Sequence, residues 1–306
     1  MNSIDVSVVV PTRNRARSLR RLLGSLDSME VPKAVRLEVL IVDNGCTDET
    51  QDLLRRESDK PRSFSLRVLQ EQQKGKASAL NHGLASASAG LILVVDDDVV
   101  VDKQWLVEHF ECLRSTSFDA VQGRVLPGLD PDGHPADPSR LQEYNIPIVD
   151  WGDGVREVRG IIATNIALRR GVFETVGPYD PRLGAGASGF GEDTEYSMRM
   201  RKAGFKMGYT PRAVVYHELD PARYGRAYNR HILYRKGLSR SLYRRDSLPF
   251  RVVPDLLISC IRFGLYRILA KEEKAYKAEG RIMRYWGYLV GKARSISGSG
   301  SWWKGD

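Results

Sequence analysis

Apolar positions in the first hundred residues come in two rhythms. "VSVVV" (6–10), "LEVLIVDNG" (37–45) and "LILVV" (91–95) are mainly apolar runs that end in polar turns. Runs of that length predict strands buried on both faces. Between the first two, leucines at 19, 22, 23 and 26 recur at helical spacing and predict an amphipathic helix. A second helix follows residue 45, with Thr47 or Asp48 available to cap it. "SLRVLQ" predicts a further strand, and "KASALNHGLASASAG" a helix rich in small residues.

Strands alternating with helices predict a parallel sheet joined by right-handed crossovers. Three of the strands finish in polar turns, at residues 11–15, 43–48 and 96–98. In such sheets the carboxyl ends of the strands form the binding crevice. Residues 127–158 are rich in Pro, Gly and Asp and predict a long surface loop. "GIIATNIAL" (160–168) predicts a strand, "GEDTEYSMRMRKAGF" a helix, and "KMGYTPRAVVYH" a closing pair of strands. The last ninety or so residues are basic, aromatic and helical in pattern.

The length, 306 residues, suits one large α/β domain with an appendage or two modest domains. Hydrophobic content of 42% and charged content of 28% are those of an ordinary globular chain. The net charge of +9 suits an anionic partner without choosing between nucleotide, nucleic acid and membrane surface. Cys46, Cys112 and Cys260 show no metal-type spacing and fit a reducing compartment. The opening residues read as a first strand rather than a secretory leader.

Candidate chemistry changes this picture most at "LILVVDDDVVVD" (91–102), where a buried strand runs into three adjacent carboxylates. Two carboxylates at i and i+2 can share a hard divalent cation, and that cation can bridge the phosphates of a nucleotide. The bland alternative is a solvated acidic turn. Placement in series with two other polar strand ends favours the metal–nucleotide site.

Seven pieces, in order, resemble family 2 glycosyltransferases of the GT-A fold: "VSVVVPTRNR", "LIVDNGCTDET", "KGKASALNHGLASASAG", "LILVVDDDVVVDKQWL", "GIIATNIALRRGVFETVGPYDPRLG", "GEDTEYSMRMRKAGF" and "VVYHE". The resemblance covers roughly residues 4–218. It implies a Rossmann-like, mostly parallel sheet flanked by helices, with a helical C-terminal extension. It also implies a catalytic domain at 1–218, with a nucleotide-binding half at about 1–126 and an acceptor-binding half at about 127–218, followed by a basic region at 219–306.

By the same resemblance, Pro11, Thr12, Arg13 and Arg15 border the base and ribose of a nucleotide-sugar, and Asp43 holds one of them. Lys76 lies near base or phosphate. Asp96 faces the sugar nucleotide and Asp98 the metal, Mn²⁺ or Mg²⁺, while the role of Asp97 stays open. His217 ends an apolar strand, where a lone histidine is more often structural than ligating; the resemblance offers it as a third metal ligand. Asn165 matches a position near donor sugar or acceptor, within a stretch that departs from the Gly-rich version of many relatives. An inverting transfer needs a carboxylate to take the proton of the attacking hydroxyl. The resemblance assigns that to Asp193, with Glu192 orienting the acceptor or the helix start and "LGAGASGFG" suited to a mobile lid. Both acids would also be favoured at a helix N-terminus by its dipole.

The implied reaction moves a sugar from a nucleoside-diphosphate sugar, UDP foremost, to a glycan or lipid-linked saccharide. The implied setting is the cytoplasm or the inner face of the plasma membrane. In the tail, Arg223, Arg226, Arg230 and Arg235 are candidates to reach the diphosphate. "VVPDLLISCIRFGLYRILA" (252–270) raises the question of a membrane span, but Asp255, Arg262 and Arg267 argue against one. It suits a helix lying in a membrane interface or one packed on protein. The final "SISGSGSWWKGD" reads as a flexible end. Rival readings are a non-catalytic nucleotide-sugar or glycan-binding protein, a nucleic-acid-binding protein that uses the basic tail, and a dehydrogenase. The tail reading leaves the acidic strand ends unexplained, so no nucleic acid is expected, and no GxGxxG follows the first strand to support a dehydrogenase.

Overall fold

The unbroken apolar runs become strands because both faces of the sheet are covered. The computed structural model of the chain describes residues 4–130, 132–135, 137, 147–223 and 225–296. The expected flexible end (295–306) falls almost wholly outside them, as do residues 131, 136 and 138–146 of the expected loop.

In chain order the elements are β1 (Val6–Thr12), α1 (Ala16–Ser28), β2 (Leu37–Asp43), α2 (Thr50–Ser58), β3 (Ser65–Gln70), α3 (Lys76–Ser86), β4 (Leu91–Val95), β5 (Val99–Val101) and α4 (Trp105–Ser115). Then follow β6 (Ala120–Pro127), β7 (Arg156–Val158), β8 (Asn165–Arg169), α5 (Arg170–Val176), α6 (Glu192–Lys202), β9 (Met207–His217), α7 (Arg226–Tyr243), α8 (Val253–Ile268) and α9 (Glu272–Ile296). Successive residues of β1 serve opposite layers. Val8 and Val10 join Leu19, Leu22, Leu23 and Leu26 of α1, while Val9 joins Leu80 and Leu84 of α3. Each such side chain, fully buried, contributes about 1.5–3 kcal/mol. The small residues of α3 have a steric cause: a Cβ on Gly83 would lie 2.3 Å from Cγ1 of Val9.

The strands form one mixed sheet in the order β3-β2-β1-β4-β8-β6-β9-β5, with β7 also on β9. β1 to β4 are mutually parallel, and β6 and β9 share their direction. β8 runs antiparallel between β4 and β6, and β5 and β7 run antiparallel to β9. The sheet is therefore mostly parallel in direction, as expected. Its carboxyl ends gather Thr12, Asp43, the acidic triplet and His217 along one rim.

Two expected elements differ. "KMGYTPRAVVYH" is one strand, β9, not a pair; its register against β6 jumps between Gly123↔Thr210 and Arg124↔Val214. Pro211 sits inside that jump and has no N–H to give a ladder. The strand expected at 160–168 starts only at Asn165, because residues 160–164 turn to bring Thr164 beside Asp96. The N-cap of α2 is Glu49, not the expected Thr47 or Asp48; Asp48, one residue earlier, accepts the Thr50 N–H at 3.0 Å in the turn that leads in.

The chain folds as two compact units. The sheet and its helices, up to Asp220, form the first, and Arg182–Gly191 with the described residues from Pro221 onward form the second. In the second unit α7 and α9 approach closely at glycine: a Cβ on Gly287 would meet the Tyr234 carbonyl at 2.1 Å, and one on Gly237 the Arg284 carbonyl at 2.0 Å. Buried Glu279 takes both Arg226 and Arg230. Arg235 donates to the carbonyls of Ser188 and Ala187 at 3.1 and 3.2 Å. Three of the four arginines singled out for the diphosphate are thus engaged within this unit. Among the described residues no helix is long and apolar enough to cross a membrane.

Candidate active site

Long-range pairing gives each carboxylate of the triplet its own partner. Asp96 follows β4 and extends its antiparallel register with β8, so Thr164 donates its hydroxyl to Asp96 Oδ2 at 2.8 Å. Lys76, the first residue of α3, places Nζ 2.5 Å from Asp96 Oδ1. Its approach is set by Asn44, which accepts the Gly75 N–H and donates to the carbonyls of Glu71 and Gln73. Gly75 itself adopts φ 130°, open to glycine but strained for other residues. Asp97 is buried and accepts the Thr12 hydroxyl at 2.7 Å. Burial and the neighbouring Asp98 raise its pKa.

Asp98 turns toward the other side of the rim. Arg15 Nη1 lies 2.7 Å from its Oδ2, and His217 Nε2 lies 3.3 Å from its Oδ1. The β5–β9 register, Val99↔His217, brings the two together. His217 Nδ1 donates to the Glu218 carbonyl at 2.8 Å, which turns Nε2 toward the carboxylates. Glu218 is fixed in turn: its N–H donates to the Asp98 carbonyl, and its carboxylate takes Ser18 and Arg21. One ligand atom each from Asp96, Asp98 and His217 lie within 4.8 Å of one another. Two hard oxygens and an imidazole nitrogen with its second nitrogen tied to a carbonyl fit a divalent cation.

Lys76 also joins the triplet to the start of α6. Its burial opposes the positive charge, but Asp96, Asp193 and Glu192 outweigh it and raise the pKa above the ordinary lysine value. Glu192 is buried, and burial raises its pKa against the pull of Lys76. Burial, and Glu192 beside it, raise that of Asp193. Asp193 Oδ1 is closed off from solvent and has no hydrogen-bond partner among the described residues. A carboxylate so held is short of one proton donor and favours taking up a proton.

At the first strand ends, Thr12 pairs with Asp43 and Pro11 with Val42 in the parallel ladder, and Arg13 is half-buried at the exit of β1. Asp43 Oδ1 accepts the Cys46 N–H at 2.7 Å, while its buried Oδ2 has no partner among the described residues. Burial, reinforced by Asp43, pushes the Cys46 thiol up to about 12, so it stays protonated.

Asn165 departs from expectation. It is fully buried; its Oδ1 accepts from Trp105 Nε1 and His109 Nε2, and its Nδ2 donates to the carbonyls of Arg124 and Ala213. Those two carbonyls belong to the residues where the β6–β9 register breaks, so the side chain completes the ladder there. No atom of it is left for a sugar. Asn165→Ala would orphan the Trp105 donor and both carbonyls, with an expected cost of about 3 kcal/mol. A differential scanning measurement is expected to show Tm lower by about 6–12 °C; an unchanged Tm would contradict this assignment.

Sequence reasoning missed Thr164 and Glu218 as positioning residues. Both are adjacent to motif residues, but their use depends on strand register, and sequence adjacency does not reveal register.

The family model described as "Glycosyl transferase family 2" matches residues 7–177. Glycosyltransferase AglE of Haloferax volcanii is 26% identical over 216 residues, covering 71% of this chain and 67% of AglE. The chain spans half or less of the length of the next curated relatives. Among solved structures, the mannosyltransferase PcManGT of Pyrobaculum calidifontis in complex with GDP-Man and Mn²⁺ superposes with TM-score 0.58 at 18% identity, covering 98% of this chain and 76% of that one. S. aureus TarS 1–349 in complex with UDP-GlcNAc gives TM-score 0.51 at 16% identity, covering 96% and 92%. At these identities the two structures establish the GT-A fold.

Proposed function

The chain belongs to glycosyl transferase family 2, and from that premise we propose that it transfers a sugar from a nucleoside-diphosphate sugar to a hydroxyl of a glycan or lipid-linked saccharide, with inversion at the anomeric carbon. The observation that carries the reading is Asp193, a carboxylate with a closed-off, unpartnered oxygen and a raised pKa at the edge of the acidic rim. Direct displacement needs one base to take the acceptor proton as the C–O bond forms, and Asp193 is that base. Glu192 and Lys76 hold its environment, and Asp43 Oδ2 is free to accept from base or ribose.

Asp96, Asp98 and His217 would hold Mn²⁺ or Mg²⁺, which when bound offsets the charge of the departing diphosphate. Arg15 pairs with Asp98 and orients it, and its own pKa is raised because Asp98, Asp97 and Asp96 outweigh its burial. Thr12 and Thr164 fix the rotamers of Asp97 and Asp96. UDP is the proposed nucleotide, in line with the UDP-GlcNAc bound by TarS; the GDP-Man of PcManGT makes GDP the second to try.

Calorimetric titration of UDP with Mn²⁺, then with EDTA, on wild type and Asp98→Ala tests the donor site. Binding is expected only with metal and intact Asp98. Binding that survives both EDTA and the substitution removes the metal assignment. Failure of UDP, GDP and dTDP alike removes the donor reading.

A further inference from the structure

α8 turns its apolar side outward. It packs on α9 with the other side: Ser259 is buried, and Tyr285 of α9 donates its hydroxyl to Asp255 at 2.6 Å. At 100° per residue, Val253, Leu257, Ile261, Leu265 and Ile268 share the opposite arc, and all are exposed. Ile261 is 70% exposed and Ile268 84%, and Phe250, in the helical turn that leads in, is 87% exposed. Arg262 and Arg267 stand at the two borders of that arc, and no charged residue of α8 lies within it. A helix in a soluble setting carries the reverse arrangement, with apolar side chains in and charges out.

The charge of the surroundings indicates what covers this face. Residues 221–306 carry 19 Lys and Arg against 6 Asp and Glu, net +13, while residues 1–220 carry 28 against 32, net −4. The whole positive excess of the chain thus lies in the region that bears the apolar face. A protein or nucleic-acid partner would account for one of these features; an anionic lipid surface accounts for both. Its acyl boundary takes the apolar arc, its headgroups attract the basic residues, and arginines at the borders extend their stems upward. The 16 residues of α8 make it about 24 Å long, suited to lying flat in the interface.

We propose that α8 is a membrane-docking helix whose outward apolar face inserts into the headgroup boundary of an anionic bilayer. The proposal is independent of the donor site. It is tested by co-sedimentation of the full chain with vesicles of phosphatidylcholine plus phosphatidylglycerol, against vesicles of phosphatidylcholine alone. Binding is expected to the anionic vesicles, weakening with added salt. Leu257→Glu and Ile261→Glu are each expected to lower the partition coefficient about tenfold with Tm unchanged, since neither side chain is buried. Val155→Glu, at an exposed apolar residue of the first unit, is the control and leaves binding intact.

Absence of binding to either vesicle overturns the proposal, as does binding indifferent to both α8 substitutions. Sedimentation equilibrium supplies a further check. A dimer that Ile261→Glu dissociates would assign the face to a second copy instead. Retention on RNA that the α8 substitutions abolish would assign it to nucleic acid.

Discussion

Asp193→Asn is expected to lower kcat by about 10²–10⁴-fold, the usual contribution of a positioned general base. The assay is the initial rate of nucleoside-diphosphate release with donor and acceptor present. Metal-dependent donor binding is expected to stay at the wild-type level, because the proposed ligand cluster of Asp96, Asp98 and His217 does not include Asp193. Stability is expected to move the opposite way from activity. The folded protein holds the Asp193 proton more tightly than the unfolded chain does, since burial and Glu192 raise its pKa. Such a group costs stability as pH rises above the unfolded carboxyl value, about 4. The amide carries no such cost, so the variant is expected to match wild type in acid and to exceed its Tm by a few degrees at neutral pH. The same raised pKa places the acid limb of the wild-type kcat/KM profile above the ordinary carboxylate range, with rate rising as the proton leaves. A variant with undiminished turnover would show that another group takes the proton. A wild-type chain that binds donor without turning over would return the non-catalytic reading.

The second large effect is expected at Lys76. Its ammonium lies between Asp96 on one side and Glu192 and Asp193 on the other, and it is the main positive charge that opposes the raised pKa of both α6 carboxylates. Lys76→Met keeps the length of the side chain and removes the charge. Breaking a buried pair by removing one partner costs about 3–5 kcal/mol, because the partner's charge is left uncompensated. For a unit of this size that is a Tm loss of about 6–20 °C at pH 8. The pH dependence gives the cause. Without Lys76, burial and mutual repulsion raise the pKa values of Glu192 and Asp193 further, so stability is retained below the unfolded value near 4 and lost as pH rises through the folded ones. Thermal unfolding at pH 5 is therefore expected to show a much smaller deficit than at pH 8. A deficit independent of pH would mean that Lys76 contributes packing rather than charge. Lys76→Arg, which keeps the charge, is expected to recover most of the loss.

The two effects share one origin. The acidic rim is costly to fold, and its cations, Lys76 and Arg15, offset the cost while leaving Asp193 with an unsatisfied oxygen.

Much of this was determined by the sequence alone. Uninterrupted apolar runs such as "VSVVV" and "LILVV" fix β1 and β4 because a strand covered on both faces tolerates no polar alternation. Leucines at helical spacing fix α1, and the polar residues that end each run fix where the binding rim lies. Those are local signals, carried by residues a few positions apart. Tertiary structure decided what those residues touch. The antiparallel entry of β8 between β4 and β6 brings Thr164 to Asp96. The register jump in β9 turns Asn165 from an expected sugar contact into the residue that satisfies two freed carbonyls. For α8 the apolar pattern was legible, but its orientation was not: the sequence allowed a packing helix or an interface helix, and the structure packs one face on α9 and leaves the apolar face exposed. The physical reason is the same in all three cases. Periodicity records which side of an element is apolar, while partner and direction depend on contacts made across the fold by residues far apart in the chain.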